Sequence, residues 1–400
     1  MAEQHEKALV PQIRFTGFTD PWEQRKLGEV GITYSGLHGK TKDDFGHGDA
    51  FFVPYTNVFD NPVTDQGRLE HVEVDSSQAE VKHGDVFFTV SSETPEEVGM
   101  SSIWLGNIRN VYLNSFCFGY RQDGSFDSLY LAYVLRSQSV RKQIELLAQG
   151  ISRFNISKNK VMNVEVPKPS LGEQRRIGAF LDRLDSLITL HQGKYDKLCV
   201  LKKSMLDKMF PKGGSLYPEI RFAGFTDPWE QRKLGEVARR VTRKNENGDS
   251  DLPLTISAQY GLVDQRTFFN SQVASKDMSG YFLLHRGEFA YNKSTSTDSP
   301  WGAIKRLEKY DMGCVSTLYI CFELLSGDPD FLVTYYETDR WYKSVQLIAA
   351  EGARNHGLLN IAPDDFFETQ ICIPKRIDEQ RRIGAFFDRL DSLITLHQRK

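Results

Sequence analysis

The chain has few cysteines, no long apolar run and little net charge, and each shortage excludes a class of protein. Its five cysteines among 400 residues are scattered, and none stands in a Cys-x-x-Cys pair. This usage argues against a disulfide framework or a zinc site and favours a reducing compartment. No stretch approaches the roughly 18 apolar residues of a membrane helix, and the first residues lack a signal-peptide core. We therefore expect a cytoplasmic protein with no membrane association.

The low charge also limits what the surface can attract. A formal net charge of −3 gives no general pull toward nucleic acid. If DNA is bound, basic residues must be concentrated locally, or a partner must supply part of the phosphate contact. The composition, with 40% hydrophobic and 12% aromatic residues, is that of a folded protein. The length suits two domains with connecting segments.

Motifs for catalysis are lacking as well. Gly39-Lys40-Thr41 resembles the end of a phosphate-binding loop, but Tyr34 stands where that motif needs glycine. Asn61-Pro62-Val63 does not match the active-site motif of an amino-methyltransferase, and no Gly-x-Gly-x-x-Gly follows a predicted strand. Histidine and cysteine never occur at metal-ligand spacing. We therefore predict a chain that binds without catalysing a reaction and holds no metal.

Two segments of the sequence occur twice. Residues 11–30 recur as 218–237 with two differences, and residues 173–194 recur as 379–400 with two differences. Between them the blocks 31–170 and 238–376 diverge, apart from weak echoes such as Gly84-Asp85 and Gly287-Glu288. A period near two hundred residues indicates a duplicated domain rather than a solenoid. We call the repeated segments the copied frame and the divergent blocks the variable blocks.

The second segment of the copied frame predicts a long helix with an apolar seam. Apolar residues alternate four and three apart, which is typical of the a and d positions of a coiled coil. In the two copies these helix-pairing candidates are Ile177, Leu181, Leu184, Ile188, Ile383, Phe387, Leu390 and Ile394. Each helix would pair with the other, although helices that only fill a domain core would show the same pattern.

Local signals set the expected ends of these helices. Ser170 and Glu173 have the spacing of a capping box, and Pro211 ends the pattern near Phe210. Asp378 is the expected N-cap of the second helix. The second copy reaches Lys400 without a counterpart of residues 195–210, so a naturally short helix and a shortened one both stay open. A short helix is also expected at Asp20-Pro21-Trp22-Glu23 and at its repeat.

The order of these motifs resembles a known family. IRFxGFxxPWEQRKLGEV, a variable block and EQRRIGAFxDRLDSLITLHQ occur twice in this order, which resembles the specificity subunit of type I restriction–modification systems. The resemblance implies an α/β (α+β) fold with two target-recognition domains in pseudo-twofold symmetry, separated by two long antiparallel coiled-coil helices. The expected division is an N-terminal tail (1–10), domain 1 (11–170), the first scaffold helix and linker (171–214), domain 2 (215–376) and the second scaffold helix (377–400).

The same resemblance implies a function. Each domain would read one half of an asymmetric bipartite site in double-stranded DNA and direct adenine methylation or restriction by partner subunits. The implied partners are two methyltransferase (M) subunits and restriction (R) subunits. S-adenosylmethionine, ATP and Mg are expected on those partners, and no cofactor on this chain. A non-catalytic coiled-coil adaptor whose two divergent domains bind proteins is the alternative.

Base-reading residues have to be ranked by chemistry, because they lie in the variable blocks. Phosphates favour Lys, Arg and small hydroxyls, whereas base edges favour Arg, Asn and Gln. The candidates in the first domain are Lys40, Lys42, Tyr55, Asn57, Ser92, Thr94, Ser152, Arg153 and Asn155. Those in the second are Arg239, Arg240, Arg243, Lys244, Gln259, Tyr260, Asn292, Lys293, Ser294, Arg354 and Asn355. Arg153 and Arg354 rank first because each follows a glycine at a similar place. Any single candidate is more often a solvated loop residue than a DNA contact.

Overall fold

A computed structural model of the chain describes residues 10–257, 260–270, 274–275, 277–297, 299–349 and 357–398. The chain divides into two compact units, residues 1–189 and 190–400, and each is described by itself. Both units mix strands and helices, which confirms the predicted α/β class. Helices in the described ranges lack an apolar stretch long enough to cross a membrane. All five cysteines are free thiols.

The first unit consists of short strands with helices packed against them. Its strands are β1 (Glu23–Lys26), β2 (Gly31–Ser35), β3 (Phe45–Val53), β4 (Glu70–Val72), β5 (Val86–Thr89), β6 (Ser91–Ser92), β7 (Ser101–Ile103), β8 (Val111–Leu113), β9 (Cys117–Gln122), β10 (Phe154–Asn155) and β11 (Glu165–Lys168). Its helices are α1 (Tyr55–Asp60), α2 (Ser128–Val134), α3 (Gln138–Glu145), α4 (Lys158–Val161), the 3-10 turns Leu27–Glu29, Lys42–Asp44 and Gln66–Arg68, and the first part of α5 (Leu171–Lys208). The central antiparallel sheet has the order β2-β9-β5-β7.

The second unit repeats this plan. Its strands are β12 (Glu230–Lys233), β13 (Ala238–Arg240), β14 (Leu254–Ser257), β15 (Gly261–Asp264), β16 (Phe282–His285), β17 (Phe289–Asn292), β18 (Ala303–Arg306), β19 (Met312–Val315), β20 (Ile320–Leu324) and β21 (Gln370–Ile373). Its helices are the rest of α5, then α6 (Leu234–Val237), α7 (Gln265–Phe269), α8 (Pro329–Tyr335), α9 (Tyr342–Ile348), α10 (Pro363–Phe367) and α11 (Ile377–Gln398). The sheet order β13-β20-β17-β18 is equivalent to that of the first unit, although the variable blocks differ in sequence.

The copied frame holds each domain to the start of its long helix. In the first unit, Arg14 Nε and Nη2 donate to the two carboxylate oxygens of Glu173 at 2.7 and 2.8 Å. Trp22 Nε1 donates to the same carboxylate at 3.2 Å. Because the Glu173 side chain is fully buried, these donors replace the water that its charge would otherwise need.

The second unit has the same buried cluster. Arg221 Nε and Nη2 donate to Glu379 at 2.7 and 2.8 Å, and Trp229 Nε1 donates at 3.2 Å. The next residue of each helix, Gln174 or Gln380, accepts from a backbone N–H that precedes a domain helix, at 2.8 Å in both units. The copied arginine, tryptophan, glutamate and glutamine residues are therefore structural.

A glycine in each long helix allows a close helix crossing. A Cβ at Gly178 would lie 2.6 Å from the backbone nitrogen of Tyr130 on α2. A Cβ at Gly384 would lie 2.7 Å from the Cβ of Asp330 on α8. No side chain fits at either position without a shift of the neighbouring helix, so packing requires glycine at Gly178 and Gly384.

Three local predictions are wrong. The Asp20–Glu23 segment and its repeat lead into strands, because Glu23–Lys26 pairs with β11 and Glu230–Lys233 with β21. Ser170 does accept from the Glu173 N–H at 3.4 Å, but the Glu173 carboxylate is occupied by Arg14 and cannot complete the capping box. Helix α11 begins before Asp378, at Ile377, and Asp378 forms an ion pair with Arg376 at 2.6 Å.

The second unit contains a pair of antiparallel helix segments. Lys202 of α5 donates to Asp391 of α11 at 2.6 Å, and the ring of Phe210, just beyond α5, lies 6.1 Å from that of Phe387. His191 and His397, farther toward the other end, have ring centroids 5.2 Å apart. The residue number rises along one segment while it falls along the other, so the two segments run antiparallel.

The eight helix-pairing candidates have different environments. Ile383, Phe387 and Leu390 are buried in the core of the second unit together with Trp229 and Phe331. Ile177 packs against the core of the first unit, whereas Leu184 and Ile188 are exposed on α5. The remaining candidates, Leu181 and Ile394, are half-buried. The start of each helix thus also fills the core of its own domain.

We predict opposite effects of alanine at two helical glycines. Gly384→Ala forces α11 away from Asp330, and such overpacking costs about 1–3 kcal/mol. Gly193→Ala meets open space within α5 and is expected to stabilise by up to about 1 kcal/mol, because alanine favours the helix. Urea unfolding followed by circular dichroism measures both. Equal effects of the two substitutions would contradict this account of the crossing.

We also predict a large effect from the buried glutamate. Glu379→Gln leaves Arg221 without its ion-pair partner, and breaking a buried pair costs about 3–5 kcal/mol. Glu236→Gln is the matched control, because the Arg232–Glu236 pair is solvent-exposed and such pairs contribute about 1 kcal/mol or less. Urea unfolding monitored by tryptophan fluorescence compares the two variants. A loss at Glu379 no larger than at Glu236 would rule out the buried cluster as the domain's anchor.

Candidate nucleic-acid interface

Three of the predicted segments of the first domain meet at one edge. Strands β6 and β10 pair so that Phe154 lies opposite Ser92 and Asn155 opposite Ser91. The hydroxyl of Tyr55 donates to the carbonyl of Ser91 at 2.8 Å. Segments separated by up to a hundred residues in the sequence are thereby joined. We call this region the β6–β10 edge; it comprises Tyr55, residues 91–94 and residues 151–155.

A groove of about 350 Å³ lies beside the β6–β10 edge. Its lining residues are Ser35, Gly36, Leu37, His38, Val90, Ser115, Cys117, Phe118, Ile156 and Lys158. Lys158 Nζ reaches Ser35 Oγ at 3.4 Å across it. The groove therefore brings residues 35–38, which precede the candidates Lys40 and Lys42, to the same region.

The exposed cations at this edge are fewer than predicted. Lys40 forms an ion pair with Asp75 at 2.9 Å, and that hydrogen bond raises the pKa of Lys40. Lys42 begins a 3-10 turn and is exposed, as are Ser152 and Arg153 in the loop before β10. Lys158, which the sequence ranking missed, is exposed on α4 beside the groove. The sequence signal that could have identified Lys158 is its position directly after Ser157 at the start of a helix.

Two predicted polar residues support loops instead of facing solvent. Asn57 is fully buried, and its amide donates to the carbonyls of Asp65 and Arg68 at 2.8 and 3.2 Å. Ser92 is also buried, and its hydroxyl donates to Glu97 at 3.1 Å. Thr94 and Asn155 are exposed. Residue type alone does not separate these two groups, because the difference lies in non-local partners.

Two arginines that the sequence did not single out, the buried Arg141 and the half-buried Arg136, hold segments around this edge. Arg141 donates to the carbonyls of Glu96, Val98 and Gly99 at 2.6–2.7 Å. Arg136 donates to four carbonyls of the first domain, and burial lowers its pKa to about 10. Burial likewise lowers the pKa of Arg141. Arg141 therefore fixes the loop that follows Thr94, and Arg136 fixes the end of α1 to β7, so both are positioning residues.

In the second domain, four predicted cations have local partners. Arg239 donates to Glu323 at 2.7 Å, and Arg240 lies 3.8 Å from Asp364. Arg243 donates to both oxygens of Glu288 at 2.8 and 2.7 Å. Lys244 donates to the Gly280 carbonyl at 2.9 Å and lies 3.7 Å from the centroid of the Phe282 ring. Their charges are partly neutralised within the domain, which weakens them as phosphate contacts.

The Arg243–Glu288 pair explains one echo between the variable blocks. Gly84 and Gly287 have φ of +86° and +93°, a conformation that favours glycine, in the turns before β5 and β17. The acid after each glycine is buried. Asp85 accepts from Arg121 at 2.8 and 2.6 Å, whereas Glu288 accepts from Arg243. The echo is therefore a structural turn, with its arginine supplied from different strands or loops.

The loop after β17 corresponds to the β6–β10 edge. Ser294 forms a β-bridge with Leu358, and Thr295 N donates to the Gly357 carbonyl at 2.6 Å. Lys293 Nζ donates to the Ile361 carbonyl at 3.3 Å, and burial lowers its pKa. Asn292 accepts from the Ser294 N–H at 3.0 Å, and Tyr260 is exposed beyond β14. The predicted Gln259, Arg354 and Asn355 lie outside the described residues.

The described residues also bear on catalysis. They contain no group of three or more His, Cys, Asp or Glu side chains arranged to hold a metal ion. The interface instead consists of hydroxyls, amides and a few exposed cations on loops. Such groups can contact phosphates and base edges.

Comparisons with known proteins agree with this arrangement. A family described as "Type I restriction modification DNA specificity domain" matches residues 19–199. A protein of Methanocaldococcus jannaschii named as the type I restriction enzyme MjaX specificity subunit is 24% identical over 230 residues, which is 54% of this chain and 52% of that protein. The MjaVIII specificity subunit of the same organism is 30% identical over 114 residues, 28% of this chain and 26% of that protein. The matches thus span about half, or less, of the length of these relatives.

A solved structure shares the fold. The type I restriction–modification S subunit from M. genitalium covers 98% of this chain and 94% of its own length, with a TM-score of 0.55 and 12% sequence identity. At that identity the likeness concerns the fold alone. The matched domain occupies residues 19–199, and its copied frame and sheet order recur in the second unit. Residues 19–199 thus match the family of type I restriction–modification DNA specificity domains.

Proposed function

We propose that the chain is the DNA sequence-recognition subunit of a type I restriction–modification complex. Each domain reads one half of an asymmetric bipartite site in double-stranded DNA. One observation carries the proposal. The two domains share the same buried Arg–Glu cluster and the same sheet order, but they present two different sets of exposed loop residues. A conserved frame with unlike loops suits one binding mode applied to two unlike sequences.

The same proposal assigns the partners. Two methyltransferase (M) subunits dock on the chain and restriction (R) subunits join them, in the cytoplasm. These partners bind S-adenosylmethionine, ATP and Mg and carry out adenine methylation or cleavage, whereas this chain binds no cofactor and has no catalytic group. The match of residues 19–199 to a DNA specificity domain argues against the alternative, a coiled-coil adaptor for other proteins.

Exchange of one variable block tests the division of labour. Replacing residues 31–170 with the block of another specificity protein is expected to change one half-site and leave the other intact, because the second unit has its own sheet and core. Methylation profiling of a genome that carries the exchanged subunit and its methyltransferase partner reads both halves. A change in both halves, or methylation without sequence preference, would disprove the assignment.

Two lysines of the first domain are expected to respond differently to salt. Lys158→Ala removes an exposed cation beside the groove, so the slope of log K against log salt falls by about 1. Lys40→Ala is the control, because Lys40 is paired with Asp75 and is expected to leave the slope unchanged. DNA binding by the chain with its methyltransferase partner is measured at several salt concentrations. Identical slopes for both variants would exclude Lys158 as a phosphate contact.

A further inference from the structure

A tight turn follows strand β8 in the first domain. Asn114 Oδ1 accepts from the N–H of Phe116 at 2.9 Å, and Cys117 N donates to the Asn114 carbonyl at 3.3 Å. Asn114 is itself buried and donates to the Val53 carbonyl at 2.9 Å. A Cβ at Gly36 would lie 2.0 Å from the Asn114 oxygen, so the neighbouring loop packs directly against this turn. The turn is held from two sides.

The second domain has the same turn after strand β19. Ser316 Oγ accepts from the N–H of Leu318 at 3.3 Å, and Tyr319 N donates to the Ser316 carbonyl at 3.1 Å. The two turns occupy equivalent places, because β9 follows the first and β20 the second in equivalent sheets. A common construction has therefore persisted where the variable blocks otherwise diverge.

Each turn carries a large apolar side chain at its tip. Phe116 is 62% exposed and Leu318 is 56% exposed. A single exposed apolar residue needs no explanation on a protein surface. Here the equivalent position of both turns is apolar and exposed, although it is phenylalanine in the first domain and leucine in the second. Copying of sequence alone does not account for that combination, which points to a shared contact.

The first tip lies beside the candidate interface, and the second adjoins the strand that leads to Tyr260. In the first domain, the Phe116 carbonyl accepts from Val90 N at 2.9 Å, directly before the β6–β10 edge, and its neighbours Ser115 and Cys117 line the groove with Lys158. In the second domain, the hydroxyl of Tyr319 lies 3.5 Å from Thr255 Oγ1 on β14, the strand that leads to Tyr260. Each apolar tip thus stands next to hydroxyl-bearing side chains.

We propose that Phe116 and Leu318 are apolar wedges that insert between neighbouring base pairs, one in each half-site. Phenylalanine and leucine are among the side chains that enter a base step and partly unstack it. An apolar wedge neutralises no phosphate, so it adds to binding at the correct site without adding to the salt-dependent affinity for any DNA. The inference rests on the proposed function and names the side chain that distorts each half-site.

The test uses the chain together with its methyltransferase partner and a duplex carrying the site found by methylation profiling. 2-Aminopurine is placed at successive positions of both half-sites, since its fluorescence rises when a base unstacks. Apart from the target adenine, which a methyltransferase flips out of the stack in every variant, the native complex is expected to raise fluorescence at one further step in each half. Phe116→Ser is expected to abolish the rise in the first half only and to weaken binding about tenfold or more, with the salt slope unchanged. Leu318→Ser is expected to act on the second half only.

Matched controls separate a wedge from general exposure. Ile32→Ser and Leu325→Ser remove apolar side chains that are 71% and 58% exposed, and both are expected to bind like the native chain. Ile32 lies opposite Arg121, toward the far end of β9, and Leu325 follows β20 at the end opposite Leu318. Phe116→Leu, which gives the first domain the apolar tip of the second, is expected to keep the fluorescence rise.

Three outcomes would overturn the inference. If the native complex binds its site but no step other than the target adenine brightens, Phe116 and Leu318 do not enter the stack. If Phe116→Ser and Ile32→Ser bind equally well and both keep the rise, Phe116 is not the wedge. If the native complex has no sequence preference at all, the proposed function fails and the wedge fails with it.

Discussion

A buried glutamate at the start of each long helix fixes the rest of its domain. Glu173 and Glu379 are inaccessible to solvent, and a carboxylate in such a place costs several kcal/mol unless donors surround it. Arg14 and Arg221 supply two bonds each, and an indole supplies a third. A segment before the first strand and a helix more than 150 residues later must therefore meet at one point. Identical residues in both copies follow from that requirement.

Once this point is fixed, the sheet and loops between the two segments are free to change. The two central sheets keep one strand order although their sequences diverge. The buried acids Asp85 and Glu288 illustrate this divergence. Asp85 pairs with Arg121, whereas Glu288 pairs with Arg243, which comes from a different place in its domain. The protein conserves the need for a paired charge but not the residue that meets it. The same freedom lets exposed loops acquire different side chains without loss of the fold.

The sequence predicted what depends on local pattern and failed where distant partners decide. The long helices were predictable because seam residues such as Ile177 and Ile383 repeat at helical spacing. The Asp20–Glu23 segment was not, because β11, some 140 residues later, draws Glu23–Lys26 into a strand. Similarly, Asn57 was chosen for its amide, which the structure uses to hold a loop. The pairing of β6 with β10 joins two predicted segments that no local rule connects.

Charge in the candidate interface is distributed in a way that favours selectivity. Lys40, Arg239, Arg240 and Arg243 all lie against carboxylates of their own domains. A surface whose cations are partly neutralised gains less from the phosphate backbone, which supplies affinity without sequence information. In the proposed complex, hydroxyls, amides and apolar side chains on the loops then discriminate between DNA sequences. The partner subunits supply much of the affinity for phosphates. Because a genome offers a vast excess of wrong sites, weak general attraction by the reading subunit raises the ratio of specific to non-specific binding.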